Sequence, residues 1–194
     1  MSFSGLASLA SMITKTDFDG VSKMRDANKP RYTAILDVIN QCNDFVDQFG
    51  VHFGDASTWQ TDRALIIDSL SGLSDMASQM MVGGKPLKSQ GEWQVAQNML
   101  KFLIDKLTTG LKCTFILTSH IARERDEITG GTFLTLNTLG NKLAPELPKY
   151  FSDIIHCDRT VDQFTWDTTK TGMVLKARNV PLAAGQQPSF KPLI

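Results

Sequence analysis

An α/β fold is predicted, and three observations predict it. The apolar run Ala64-Leu65-Ile66-Ile67 closes on Asp68-Ser69, an amphipathic pattern runs from Ser89 to Gly110, and a second β-prone run, Cys113 to Leu117, closes on Thr118-Ser119-His120. Short continuous apolar runs bounded by polar residues mark strands buried on both faces, and such strands belong to sheets covered by helices. Strand, helix and strand in that order require parallel strands joined by a right-handed crossover. Both carboxyl ends then emerge at one sheet edge, the edge at which open α/β sheets bind ligands, so Asp68, Ser119 and His120 are expected on a shared rim.

The remaining elements follow from periodicity and punctuation. Leu6, Leu9, Met12 and Ile13 share a face of a short opening helix that breaks near Thr16, Asp17 and Gly20. From Pro30, the positions Tyr32, Ile35, Leu36, Ile39, Cys42, Val46 and Phe49 keep helical spacing, with Gly50 as the stop. His52 to Asp62 is rich in Gly, Asp, Ser and Thr and reads as loop. Leu70 to Val82 is expected to be helical, broken by Gly83, Gly84, Lys85 and Pro86. Ser89 can cap the longer helix in which Trp93, Ala96, Leu100, Leu103, Ile104 and Leu107 share a face, and Gly110 ends it. Ile121 to Pro148, with Gly130-Gly131, mixed charges and several Thr, reads as a long loop holding a short helix near Leu139 to Leu143. Asp153 to Cys157, Gln163 to Asp167 and Met173 to Arg178 read as three strands, the last two forming a hairpin across Thr168 to Gly172, and an extended tail begins at Pro181.

With 194 residues, a single domain is expected: a helical lead-in over 1–54, a core of sheet and helices over 55–180 and a tail over 181–194. Hydrophobic residues at 42% and charged residues at 21% exclude disordered and fibrous classes. Twenty basic side chains balance twenty acidic ones, which argues against a coat of nucleic acid held by bulk charge, so a polyanion site must be local. No apolar stretch is long enough for a membrane helix, and the start MSFSGLASLASMITK lacks a basic n-region, so an intracellular protein is expected. Cys42, Cys113 and Cys157 lie far apart and read as reduced, packed thiols; with His52, His120 and His156 they make no zinc spacing.

Several residues can carry chemistry. Asp68, an acid at the carboxyl tip of a strand, stands where nucleoside triphosphatases hold a metal-bound water, although it and Ser69 can equally cap the helix that follows. Ser119 and His120 end the next strand, where a polar side chain can sense a terminal phosphate. As a hydrolase pair with Asp68 they meet a geometric objection, because successive strand residues point to opposite faces. Lys176 and Arg178 alternate with apolar residues and share a face that can clamp a phosphate, or can simply guard a strand edge by charge. Arg123, Arg125, Lys142 and Lys149 can contact a nucleic-acid backbone, but Glu124, Asp126, Glu127 and Glu146 sit among them, as in a solvated loop.

Taken in order, ALIIDSLSGL, QGEWQVAQNMLKFLIDKL, CTFILTSH, TGGTFLTLNTLGNKLAPELPKYFSDIIHCDR and GMVLKARN resemble phage-encoded proteins with a RecA-like P-loop NTPase core, the group that includes Sak-type single-strand annealing ATPases. The likeness covers roughly Asp55 to the C-terminus, with Thr16 to Gly54 similar to the helical lead-in. It implies a mainly parallel sheet flanked by helices with a C-terminal antiparallel hairpin. It also implies ATP and Mg2+ as cofactors, DNA recombination or single-strand annealing as the activity, single-stranded DNA as partner, and the cytoplasm of a phage host as location. In that likeness Asp68 corresponds to the Walker B acid that binds the metal, with Ser69 beside it; His120 takes the place of the polar switch residue. Ile121 to Pro148, carrying Arg123, Arg125 and Lys142, resembles the second DNA-binding loop, and Ser74 to Gly91 sits where the first would lie. Lys176 and Arg178 look like late-strand cations that reach the triphosphate of an adjacent subunit.

The chain departs from the family in one respect. A P-loop needs Gly, four residues, then Gly-Lys-Ser/Thr, so that backbone N–H groups at a helix N-terminus cradle the phosphates. Gly84-Lys85 is followed by Pro86 and has Gln79 where the first Gly belongs, and Gly140-Asn141-Lys142 also lacks the pattern. The first, P-loop strand is therefore missing, and is expected to precede residue 1. The chain alone is not expected to hydrolyse ATP, and its gap in the sheet is expected to be filled by self-association or a partner subunit. The competing expectation is a non-catalytic assembly or regulatory protein that keeps only the fold and the subunit interface; a third is an unrelated hydrolase using Asp68, Ser119 and His120.

Overall fold

The computed structural model describes residues 32–83, 89–125 and 130–191. It is a mixed α/β structure with small two-stranded sheets, one of them a parallel pair. The opening helix expected over Leu6 to Ile13, and the break at Gly84 to Pro86, lie outside the described residues. By internal contacts the chain divides into two compact units, the first made of residues up to Ile66 with Gly72–Ile116, the second of Ile67–Ser71 with Leu117–Ile194.

The first unit starts with α1 (Ala34–Asn43), which buries Ile35, Ile39 and Cys42. The helix expected to run on to Phe49 ends here instead. Asp44 is extended, and the Asp47 carboxylate accepts the N–H groups of Phe49 at 2.8 Å and Val51 at 2.9 Å, with Gly50 at φ 80. A short carboxylate that captures nearby amides, with a glycine in the left-handed region, outcompetes a further helical turn. The chain reverses, so β1 (Phe45–Val46) pairs antiparallel with β2 (His52–Gly54), where loop was expected, and Phe49 is exposed at the turn. A 3-10 turn over Ala56–Thr58 follows, capped by Asp55, whose carboxylate accepts from Ser57 N–H at 2.8 Å. Trp59 is buried edge-on to Phe45 at 5.5 Å, and the Arg63 guanidinium lies over the Trp59 ring at 5.4 Å.

Strand β3 (Ala64–Ile67), helix α2 (Leu70–Val82), helix α3 (Gln90–Gly110) and strand β4 (Thr114–Leu117) fall where the sequence predicts them. Helix α3 begins with a reciprocal capping box, Ser89 Oγ accepting from Glu92 N–H and the Glu92 carboxylate accepting from Ser89 N–H at 2.8 Å. Its face of Ala96, Met99, Leu100, Leu103, Ile104 and Leu107 is buried, as are Leu73, Ala77 and Met80 of α2. The strands differ from expectation: β3 buries Leu65 but leaves Ile66 59% exposed, so it is covered on one face and not on two. The thiols also divide, with Cys42 and Cys113 buried but Cys157 exposed. Burial, helped by the charge of Asp55, pushes the Cys42 thiol up to about 11, which keeps it protonated and unreactive.

In the second unit the segment expected to be a long loop is a hairpin. Strand β5 (Ile121–Arg125) pairs antiparallel with β6 (Thr132–Leu136) from Ile121 opposite Leu136 to Arg125 opposite Thr132. The short helix α4 (Gly140–Leu143) follows, then a 3-10 turn over Leu147–Tyr150; Leu139, Leu143, Ala144 and Leu147 are buried. Strand β7 (His156–Arg159) pairs with β8 (Phe164–Asp167), so the hairpin closes one strand earlier than expected. The expected strand Met173 to Arg178 contributes only an isolated bridge, Ile154 opposite Lys176. Its far end is captured by Asp153, whose Oδ1 accepts the N–H groups of Arg178 and Asn179 at 2.8 Å and Val180 at 3.2 Å, while Oδ2 accepts the Asn179 side-chain amide at 2.6 Å. Three consecutive amides turned toward one carboxylate cannot continue a sheet ladder. The tail lies back along β8, with Gln186 bridged to Trp166 and Phe190 edge-on to the Trp166 ring at 5.2 Å.

Two predictions follow from these local devices. Ser89→Ala removes one half of the capping box and is expected to lower unfolding free energy by about 1 kcal/mol in urea titration. Burial raises the Asp153 carboxyl, but the amides of Asn179, Val180 and Arg178 outweigh it and hold it below the ordinary carboxylate range. Its contribution to stability is therefore present above the unfolded-state value and is lost as pH falls through the lower folded-state value. Thermal melts of Asp153→Asn between pH 7 and pH 3 are expected to fall less steeply than those of the wild type.

Candidate functional site

The carboxyl ends of β3 and β4 meet within the second unit, in residues 67–71 and 118–120. Thr118 N–H donates to the Ile67 carbonyl at 3.2 Å, and Leu70 N–H donates to the Thr118 carbonyl at 2.8 Å. The Thr118 hydroxyl donates to the Asp68 carboxylate, and the peptide bond between Asp68 and Ser69 is cis. One residue into α2, the Ser71 hydroxyl donates to the Asn137 carbonyl at 3.0 Å and accepts the His120 N–H at 3.3 Å; Asn137 N–H in turn donates to the His120 carbonyl at 2.9 Å. Asp68 and His120 thus stand on one rim, both exposed, held by hydrogen bonds that run from the tip of β3 to the root of the β5–β6 hairpin.

Thr118 and Ser71 were not singled out from sequence. Thr118 sits inside the Thr118-Ser119-His120 closure, and its position one residue before the expected pair was the available signal. Ser71 had none, because its partners lie 49 and 66 residues away.

Asp68 offers the rim one exposed carboxylate, the kind of ligand that a hydrated Mg2+ takes beside its waters. No group of three or more His, Cys, Asp or Glu side chains able to enclose a metal occurs among the described residues. A triphosphate does not fit in the same way. The Leu70 amide at the start of α2 already donates to Thr118, and the Ser71 hydroxyl is engaged on both sides, so neither is free to cradle phosphate. The Ser119 hydroxyl donates to the His120 carbonyl at 2.9 Å and Asp68 accepts from Thr118, so Ser119, His120 and Asp68 form no side-chain relay.

The two late cations part company. Lys176 is half-buried, its ammonium donating to the Pro148 carbonyl at 3.0 Å and the Phe151 carbonyl at 2.6 Å, where it closes the 3-10 turn. Arg178 is exposed, and its guanidinium makes no ion pair among the described residues.

The pleat of β5 separates charges that the sequence interleaves. Arg123 and Arg125 face one exposed side with Ile121, opposite Leu134 and Thr132, whereas Glu124 turns to the other side, opposite Phe133. Neither arginine makes an ion pair among the described residues, nor does the exposed Lys142 on α4. Lys149, by contrast, pairs with Glu146 at 3.2 Å. Comparison of this chain with family models, with curated proteins and with solved structures finds no match. Among the described residues, no helix is long and apolar enough to cross a membrane.

A double-mutant cycle of Asp68→Ala and Thr118→Val tests the cross-strand bond. The exposed position reduces the strength of a charge-assisted hydrogen bond, and a coupling of about 1 kcal/mol is expected from urea unfolding of the four proteins.

Proposed function

We propose that this chain is a RecA-like module of DNA recombination or single-strand annealing that engages single-stranded DNA through the β5–β6 hairpin. The observation that carries the reading is the sorting of charge on β5. Arg123 and Arg125 lie on one exposed face with no ion pair among the described residues, and Glu124 is removed from it. Two guanidiniums two residues apart on a β-ribbon match the spacing of a phosphate backbone, and phosphate contacts supply sequence-independent affinity. Lys142 and Arg178 are exposed cations available for the same backbone.

The Asp68 rim supports a metal-linked role in the same family. Asp68 would hold a hydrated Mg2+, and His120 would stand at the switch position; the phosphate cradle would come from another segment or subunit, and this chain's own residues are not assigned ATP hydrolysis. The exposed Ile66 on a two-stranded sheet supports association with a second copy or a partner. The same lack of a cradle favours the second reading, a non-catalytic assembly protein that keeps the fold and interface.

Fluorescence anisotropy with a labelled oligo-dT strand at two salt concentrations distinguishes the readings. Binding that weakens with salt is expected, and replacing both Arg123 and Arg125 by Ala is expected to reduce the slope of log K against log salt by about 1.4. Calorimetry with ATP and Mg2+ on the chain alone is expected to give no measurable heat of binding. Absence of salt-dependent DNA binding overturns the recombination reading in favour of the assembly protein.

A further inference from the structure

We infer that Ser71 is a positioning residue for the β5–β6 hairpin, its single hydroxyl latching both roots of the hairpin to the start of α2; the inference rests on the reading of that hairpin as the DNA-contacting element. His120 immediately precedes β5 and Asn137 immediately follows β6, so they are the two residues from which the ribbon springs. Asn137 N–H donates to the His120 carbonyl at 2.9 Å, which extends the ladder by one pair beyond Ile121 opposite Leu136. The second bond of that pair, from the His120 N–H to the Asn137 carbonyl, is replaced by Ser71 Oγ, which accepts from the first at 3.3 Å and donates to the second at 3.0 Å. A hydroxyl has one proton and two lone pairs, so it can serve both strands at once, which no apolar side chain of the same size can do.

The consequence is mechanical. A two-stranded hairpin is marginal by itself, and its pitch is set by what holds its root. Along one edge β6 is tethered by Leu134 N–H donating to the Gly172 carbonyl at 3.0 Å. At the root, Ser71 fixes the direction in which the ribbon leaves, and hence where the exposed Arg123 and Arg125 are carried. Ser71 touches no DNA in this arrangement; it acts through the backbone of His120 and Asn137. Because Ser71 follows Asp68 by three residues in the turn that Thr118 holds, the latch is anchored to the most constrained part of the rim.

The test compares wild type, Ser71→Ala and Ser71→Thr by hydrogen exchange and by binding of a labelled oligo-dT strand. In Ser71→Ala, exchange in β5 and β6 is expected to quicken while the β7–β8 hairpin is unchanged, and oligo-dT affinity is expected to fall roughly five-fold. Ser71→Thr keeps the hydroxyl and is expected to restore both. Unchanged exchange in Ser71→Ala, equal loosening of β7–β8, or failure of Ser71→Thr to restore overturns the latch. Wild type that does not bind oligo-dT, with exchange still quickened by Ser71→Ala, leaves the latch standing and removes the DNA reading.

Discussion

Thr118 holds the rim together, and the arrangement of every candidate group in the second unit depends on it. Its amide reaches back to Ile67, its carbonyl receives Leu70, and its hydroxyl meets the Asp68 carboxylate, so one residue engages both sides of a turn 50 residues away in sequence. In a parallel ladder such a double partner bonds two residues that are two apart, whereas Thr118 bonds Ile67 and Leu70, three apart, and so spans the turn from the end of β3 into the start of α2. Without it Asp68 would sit on a free loop, Ser71 would have no fixed position, and the root of the β5–β6 hairpin would be loose.

Burial and charge then divide the remaining groups by role. Lys176 and Asp153 are occupied by backbone carbonyls and amides of their own unit, and they shape the path of the chain around residues 148–153 and 178–180. Arg123, Arg125, Lys142 and Arg178 are exposed and make no ion pair among the described residues. Charges of the first kind stabilise the fold; the cations of the second kind stay exposed to solvent. The formal net charge of zero conceals this division, because it counts both kinds alike.

The helices and the β3/β4 pair were legible because their signals are local. Ser89 and Glu92 three residues apart, a terminating glycine, and apolar runs closed by polar residues all act within one or two turns of chain. The β1–β2 reversal was missed because helical spacing through Phe49 is a weaker force than the Asp47 carboxylate holding two amides at once. In β5 and β6 the alternation was present, but charged residues on both faces masked it, and no apolar face announced a strand. The choice between β8 pairing with β7 or with residues 173–178 was not local at all. Both partners have strand character, and the Asp153 carboxylate, which claims the amides of 178–180, decides it. Asp68 and His120 were placed on one rim by topology; Thr118 and Ser71, which hold them there, were visible only once distant segments met.

The most direct measurement of the central claim is site-resolved amide exchange of Leu70 and Thr118 by NMR. Thr118 follows the end of β4 and Leu70 opens α2, where the first amides have no acceptor within the helix, so an isolated turn would leave both open to solvent. Protection of both, well above that of turn residues such as Gly172, is the result this account predicts. Exchange of either at the rate of an unstructured peptide would contradict it.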